Sequence, residues 1–224
     1  MIKAIFIDFY GTVVFEDGEV IERVVREIIR TQKDNTGNTE DKSSIDGYWW
    51  KEFQTAFTNA HGENFETQRK LEYQSLAKTI EHFGSDADAD ALSNEMFAYW
   101  RKPPIFPESK EFFEKCPVPI YVVSNIDRAD IMAAIEYHGL KPAGVFTSED
   151  ARSYKPRKEL FELVLKSTGL KADEVIHIGD SLSSDVKGAA GVGIKAVWVN
   201  RSGRPVPDKV VAVENLLEVL EKIL

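Results

Sequence analysis

The sequence predicts an α/β protein: a doubly wound parallel sheet with an all-helical module inserted into it. Three observations carry that expectation. The chain opens on KAIFID (residues 3–8), a near-continuous apolar run with Ile and Phe, as a strand buried on both faces requires. Residues 16–100 then show helical spacing and no convincing strand. Beyond them strands and helices alternate, the pattern of parallel strands joined by crossover helices.

In order, EVIERVVREIIR places Val20, Ile21, Val24, Val25, Ile28 and Ile29 at helical spacing. The polar stretch KDNTGNTEDKSS reads as a turn or flexible loop. Three further helices are expected around 46–60, 66–83 and 88–100, rich in Trp, Phe, Tyr and Leu. The prolines of KPPIFPES stop the helical pattern and mark the crossing between modules. PIYVVSN then reads as a strand, and RADIMAAIEYHG as a helix closed by Gly139. GVFTSE is a strand and RKELFELVLKSTG a helix. EVIHIGD and KAVWVN are strands flanking the helix that contains DVKGAAG, and VENLLEVLEKIL is the last helix. The division expected is a sheet domain over 1–15 and 101–224, with a helical domain over 16–100.

With 224 residues, 43% of them hydrophobic, the chain can bury one substantial core plus a smaller module. A net charge of −9 and no block of Lys or Arg argue against nucleic acid or an anionic membrane as partner. The single cysteine, Cys116, excludes an internal disulfide and fits a reducing compartment. Asp8 breaks the N-terminal apolar run, no small-residue cleavage site follows, and nothing approaches the ~20 apolar residues of a membrane span. A soluble, cytoplasmic protein is expected. No feature of the sequence sets its oligomeric state.

In an open parallel sheet, ligands bind beyond the C-terminal ends of the strands. The first strand ends in Asp8, with Thr12 just beyond; the second ends in Ser124 and Asn125. Lys155 precedes the RKELFELV helix, and a later strand ends in Gly179 and Asp180, with Asp185 five residues on. Three carboxylates in one pocket repel each other unless a cation neutralises them. Oxygen-only ligation suits Mg²⁺ shared with a substrate phosphate. Lys155 supplies a positive charge for a small anionic substrate, and the Thr12 and Ser124 hydroxyls can cradle its oxygens. Asp is also an established nucleophile, through an acyl-phosphate.

The series D-x-x-G-T, S-N, K-P and G-D-x-x-x-x-D resembles the haloacid dehalogenase-like hydrolase superfamily, in order and across the whole sheet domain. The helical insert between the first two motifs resembles the subclass with an α-helical cap. The resemblance implies a Rossmann-like core, Asp8 as nucleophile, and Thr12, Ser124 with Asn125, and Lys155 around the transferring group. It also implies Mg²⁺ held by Asp8, Asp180 and the backbone carbonyl of Tyr10, with Asp185 close to the metal.

Tyr10 departs from the phosphatase pattern, which has a second aspartate there as general acid and base. A phenol with a pKa near ~10 can donate a proton but is a poor base at neutral pH. Tyrosine at this place is similar to the family's 2-haloacid dehalogenases, which work without metal. Those enzymes resemble this chain less elsewhere: they have Ser at the position of Asp180, Asn at that of Leu182 and Tyr at that of Phe161. The expectation is therefore a Mg²⁺-dependent phosphatase acting on a small phosphorylated metabolite. A dehalogenase-like C–X hydrolase is the alternative, and a non-catalytic phosphate- and metal-binding protein a third. His177 reads as a packed strand residue, His61, His82 and His138 carry no assigned role, and Arg157 and Arg69 read as surface charges.

Overall fold

The computed structural model describes residues 1–16, 18–33 and 42–222. Two compact units divide the chain, Met1–Glu16 with Pro103–Leu224, and Asp17–Lys102.

The first unit is built on one sheet of six parallel strands, in the order β3-β2-β1-β4-β5-β6. These are β1 (Ala4–Ile7), β2 (Ile120–Ser124), β3 (Gly144–Thr147), β4 (Val175–Gly179), β5 (Lys195–Val199) and β6 (Val211–Val213). Every residue of the two central strands is buried, which explains why their sequences run apolar without alternation. Strand order reverses between β1 and β4, so this doubly wound fold opens its ligand crevice at their C-terminal ends. Ile7 pairs with Val122 on one side and Ile178 on the other, which brings Asp8 level with the end of β4.

Two elements differ from the sequence expectation. Val213 was expected to open the last helix, yet Val211–Val213 adds β6 to the edge of the sheet. Three residues after RSGRPVPDK are too few to show a strand period, and pairing with Val197–Val199 supplies what local pattern lacks. The segment after the prolines also holds a helix of seven residues, Ser109–Lys115, which packs with the last helix, Leu217–Lys222. Elsewhere, the helix Arg128–His138 ends on Gly139 in the left-handed conformation, as its sequence indicates. Lys158–Thr168 packs with Gly188–Ala190, its Phe161 joining Ala4, Phe6, Val123 and Ala189 in one buried apolar cluster.

Among the described residues, the second unit has four α-helices, α1 (Gly18–Arg30), α2 (Lys42–Asn59), α3 (Gln68–His82) and α4 (Ala89–Arg101). α1 packs on α2 and α4, and α3 on the same two. Val24, Ile28, Ile45, Trp49, Leu76 and Met96 fill the space between them. Thr67 and Asp88 cap α3 and α4 through their side-chain oxygens. α2 begins earlier than expected, taking in the last three residues of the polar stretch; residues 34–41 lie outside the described residues. Among the described residues, no helix is long and apolar enough to cross a membrane.

Candidate active site

The loop after β1 is set by backbone bonds. The Asp8 amide continues the sheet by donating to Ile178 O at 2.8 Å, and the amides of Val13 and Val14 both donate to Phe9 O. Gly11 sits at φ +82°, and a Cβ there would lie 2.6 Å from Asp180 Oδ2. Only glycine meets both demands, the left-handed backbone and the close approach of a carboxylate. Thr12, fully buried, donates its hydroxyl to Asp180 Oδ1 at 3.3 Å.

From the other side of the switch point come Asp180 and Asp185. Gly179 allows the second of these to fold back, because a Cβ at 179 would stand 2.2 Å from Asp185 Cγ. Asp185 lies on a single π-helical turn, Leu182–Lys187, and its Oδ2 accepts from the Ser181 amide at 3.0 Å. Behind Asp180, its backbone carbonyl accepts from the Trp198 indole at 2.7 Å and from Arg204 at 3.2 Å.

Lys155 joins the two halves. Its ammonium is buried and spends all three N–H groups, on Asp8 Oδ1 at 2.7 Å, Asp185 Oδ1 at 2.7 Å and Val123 O at 2.9 Å. Asn125 fixes the backbone at that point: its Oδ1 accepts from the Lys155 amide at 2.7 Å and its Nδ2 donates to Lys155 O at 3.1 Å. Both ends of the amide are thus directed at the lysine's main chain, whereas the sequence reading gave Asn125 to the substrate. Ser124 is buried beside it, its Oγ accepting from the Ile126 amide at 3.4 Å. Tyr10 is half-buried, with its ring edge-on to Phe9 at 5.4 Å.

One contact escaped the sequence reading. His177 is a buried strand residue as expected, but its Nε2 lies 2.8 Å from Asp185 Oδ1. The signal was present in the period of the strand. His177 and Gly179 alternate onto the same face of β4, and it is on that face that Gly179 makes room for Asp185. Of the other histidines, His82 stacks on Tyr48 at 3.9 Å and His138 bonds Pro103 O. Arg69 is half-buried with its guanidinium over Phe97, and Arg157 is exposed.

The charges follow from burial. Burial pushes the Asp8 carboxyl up to about 7, with Lys155 opposing the rise and Asp185 and Asp180 adding to it. Asp180 is likewise pushed up to about 7, by burial and then by Asp185 and Glu16. Burial works against ionisation of Asp185 too, but Lys155 and His177 hold it well below the usual carboxylate range. Lys155 is held above its ordinary value because Asp185 and Asp8 outweigh the cost of burying its charge. Two of the three acids therefore lack enough positive charge.

A divalent cation would supply it. Asp8, Asp180 and Asp185 each offer an oxygen, and these atoms lie within 4.8 Å of one another. Three hard oxygen donors with unbalanced negative charge suit Mg²⁺ better than any softer ion. A measurable consequence concerns metal-free protein. Burial and neighbouring acids push Asp8 and Asp180 up to about 7 in the fold, against ~4 for an unfolded carboxyl. Their contribution to stability is full below pH ~4 and is lost as pH rises through 7. Asp185 shifts the other way, so its contribution disappears only as pH falls below its ordinary range. Between pH 5 and 8, melts in chelator should therefore fall as pH rises, each pK unit per group being worth about 1.4 kcal/mol. Mg²⁺ should raise the melting temperature more at pH 8 than at pH 5. A flat metal-free profile would contradict two unbalanced buried acids.

Known proteins agree with this architecture. A family profile described as haloacid dehalogenase-like hydrolase matches residues 2–193. The ribulose-1,5-bisphosphate 5-phosphatase of Halopiger xanaduensis is 32% identical over 129 residues, 54% of this chain and 54% of that protein. The chain spans about half the length of the curated relatives it matches. In three dimensions, a dehalogenase solved with an intermediate complex is similar at a TM-score of 0.76 and 18% identity, covering 98% of this chain and 96% of that one. The YfnB protein of Bacillus subtilis, solved bound to magnesium, has a TM-score of 0.76 at 18% identity, covering 98% and 97%. These two likenesses speak for the fold. The profile, spanning the first strand and every motif that lines the switch point, shows that the chain belongs to the haloacid dehalogenase-like hydrolase family.

Proposed function

We propose that this hydrolase is a Mg²⁺-dependent phosphatase of a small phosphorylated metabolite, working through a phosphoaspartyl intermediate on Asp8. The observation that carries the reading is the convergence of Asp8, Asp180 and Asp185 within 4.8 Å. A dehalogenase-like reaction at carbon has no use for a third acid that burial leaves uncompensated. The phosphatase of Halopiger xanaduensis adds support from sequence.

Lys155 holds Asp8 through Oδ1, which leaves Oδ2 to attack phosphorus. The P–O bond to the substrate oxygen breaks as the Asp8 Oδ2–P bond forms, and the departing oxygen takes one proton from solvent to leave as the alcohol. Water then attacks the phosphoaspartate, returning one proton to solvent, releasing inorganic phosphate and regenerating the carboxylate. Thr12 and Ser124 hold the transferring group, Lys155 holds the Asp8 and Asp185 carboxylates in place beside it, and Asn125 keeps the Lys155 backbone in register. Asp8, Asp180 and the Tyr10 carbonyl, with Asp185 close by, would hold Mg²⁺, which would neutralise charge on the phosphoryl oxygens. The helical unit serves as the cap that selects the substrate.

Tyr10 favours the second reading, hydrolysis of a carbon–halogen bond, because a halide leaves without a proton. The two readings separate cleanly. Acetyl phosphate turnover should require Mg²⁺ and stop in EDTA. Halide release from a 2-haloacid that persists in EDTA, with no phosphate release, would overturn the phosphatase reading.

A further inference from the structure

We infer that His177 is a positioning residue, whose Nε2–H donates to Asp185 Oδ1 and fixes that carboxylate for metal uptake. The inference rests on the proposed metal-dependent reading only for the purpose of the bond; the bond itself stands on geometry.

His177 lies in the centre of the sheet, between Phe6 and Ala196 in register and edge-on to Phe161 at 5.0 Å. No part of it is exposed, and among the described residues its Nδ1 has no hydrogen-bond partner. An apolar side chain would occupy this site at lower cost, since an unpartnered buried polar atom destabilises the fold. Among the described residues, the one hydrogen bond of the ring is with Asp185, at 2.8 Å. An ionised carboxylate can only accept, so the proton of that contact sits on Nε2. Nδ1, beside which no described residue offers an acceptor, carries none.

The contact changes what holds Asp185. With His177 present, Oδ1 receives two donors, the imidazole and Lys155 Nζ, and Oδ2 receives the Ser181 amide. Three donors, one from β4 and two from loop residues, define the plane of the carboxylate. Without the imidazole, Oδ1 depends on an ammonium at the end of a flexible stem, which also serves Asp8 and Val123 O. A ring locked in a central strand is the more rigid anchor. Outer donors of this kind typically change metal affinity 10–100-fold when removed.

Two measurements on the full chain decide it. In metal-free protein with ¹⁵N-labelled histidine, long-range correlation spectra should show the His177 proton on Nε2 with Nδ1 bare, and Asp185→Ala should shift that resonance. A proton on Nδ1, or a resonance indifferent to Asp185→Ala, would overturn the inference whether or not the protein binds magnesium. In calorimetry with MgCl₂, His177→Leu should weaken uptake by ~10-fold or more. His177→Gln, whose amide nitrogen can reach the same oxygen, should recover most of that loss. In the Asp185→Ala background, His177→Leu should cost nothing further. Equal losses for Leu and Gln, or a full loss persisting without Asp185, would make His177 a packing residue alone. Wild-type protein that takes up no magnesium would defeat the proposed function instead, leaving the spectra to settle His177.

Discussion

Asp8→Asn is expected to lower Mg²⁺-dependent turnover of acetyl phosphate by roughly 10⁴-fold or more, the scale seen when a covalent nucleophile is removed. The amide is nearly isosteric, so the loss should come from chemistry and not from collapse of the loop. The oxygen of the new amide can still accept from Lys155 Nζ, as the Asp8 carboxylate does at 2.7 Å. The backbone bond from residue 8 to Ile178 O is untouched. Stability should even improve in chelator above pH 7. Asp8 is a buried acid pushed up to about 7, and its ionisation there works against the fold. The neutral amide removes that penalty. Phosphate-release rates paired with melts at pH 8 check both halves. Turnover above about a hundredth of wild type in a natively melting Asp8→Asn protein would place the nucleophile elsewhere.

Much of this site was legible before any coordinates, for a definite reason. Parallel strands must be apolar along their length, so polar residues stand out where the strands end. Asp8, Ser124 and Asp180 are all found that way, and the fold itself then collects them at the switch point. Asp185 and Lys155 lie off the strands: spacing from Asp180 points to the first, and the place before the RKELFELV helix to the second. Contacts between residues that no period relates were not legible. Asn125 stands beside Ser124 and looked like a substrate ligand, but both ends of its amide meet the Lys155 backbone, thirty residues on. His177 looked like packing because alternation along a strand reports burial and says nothing of what lies across the fold. The edge strand Val211–Val213 exists through its pairing with β5 and has almost no pattern of its own. Local signals wrote the scaffold, and non-local hydrogen bonds assigned the supporting roles.

Tyr10→Asp should raise turnover of phosphomonoesters by on the order of 10²-fold, the lower end of what general acid–base catalysis contributes. Three observations make the change tolerable. Tyr10 is half-buried, so shortening it opens no sealed cavity. Its ring meets Phe9 edge-on, a contact worth about 1 kcal/mol. The loop around it is held by the backbone bonds of Gly11, Val13 and Val14, which ask nothing of its side chain. The gain should depend on the leaving group. Alkyl phosphates need a proton on the departing oxygen and should gain most; acetyl phosphate departs as a carboxylate and should gain least. A new carboxyl two residues from Asp8 would also enter a negative neighbourhood, and like charges raise its pKa towards the range a general acid needs. Rates for an alkyl phosphate, p-nitrophenyl phosphate and acetyl phosphate, measured side by side, give the slope. A uniform gain across all three would mean that the aspartate aids binding and not proton transfer. No gain in a folded variant would mean that Tyr10 belongs to a reaction whose leaving group never takes a proton, which is the chemistry of a halide.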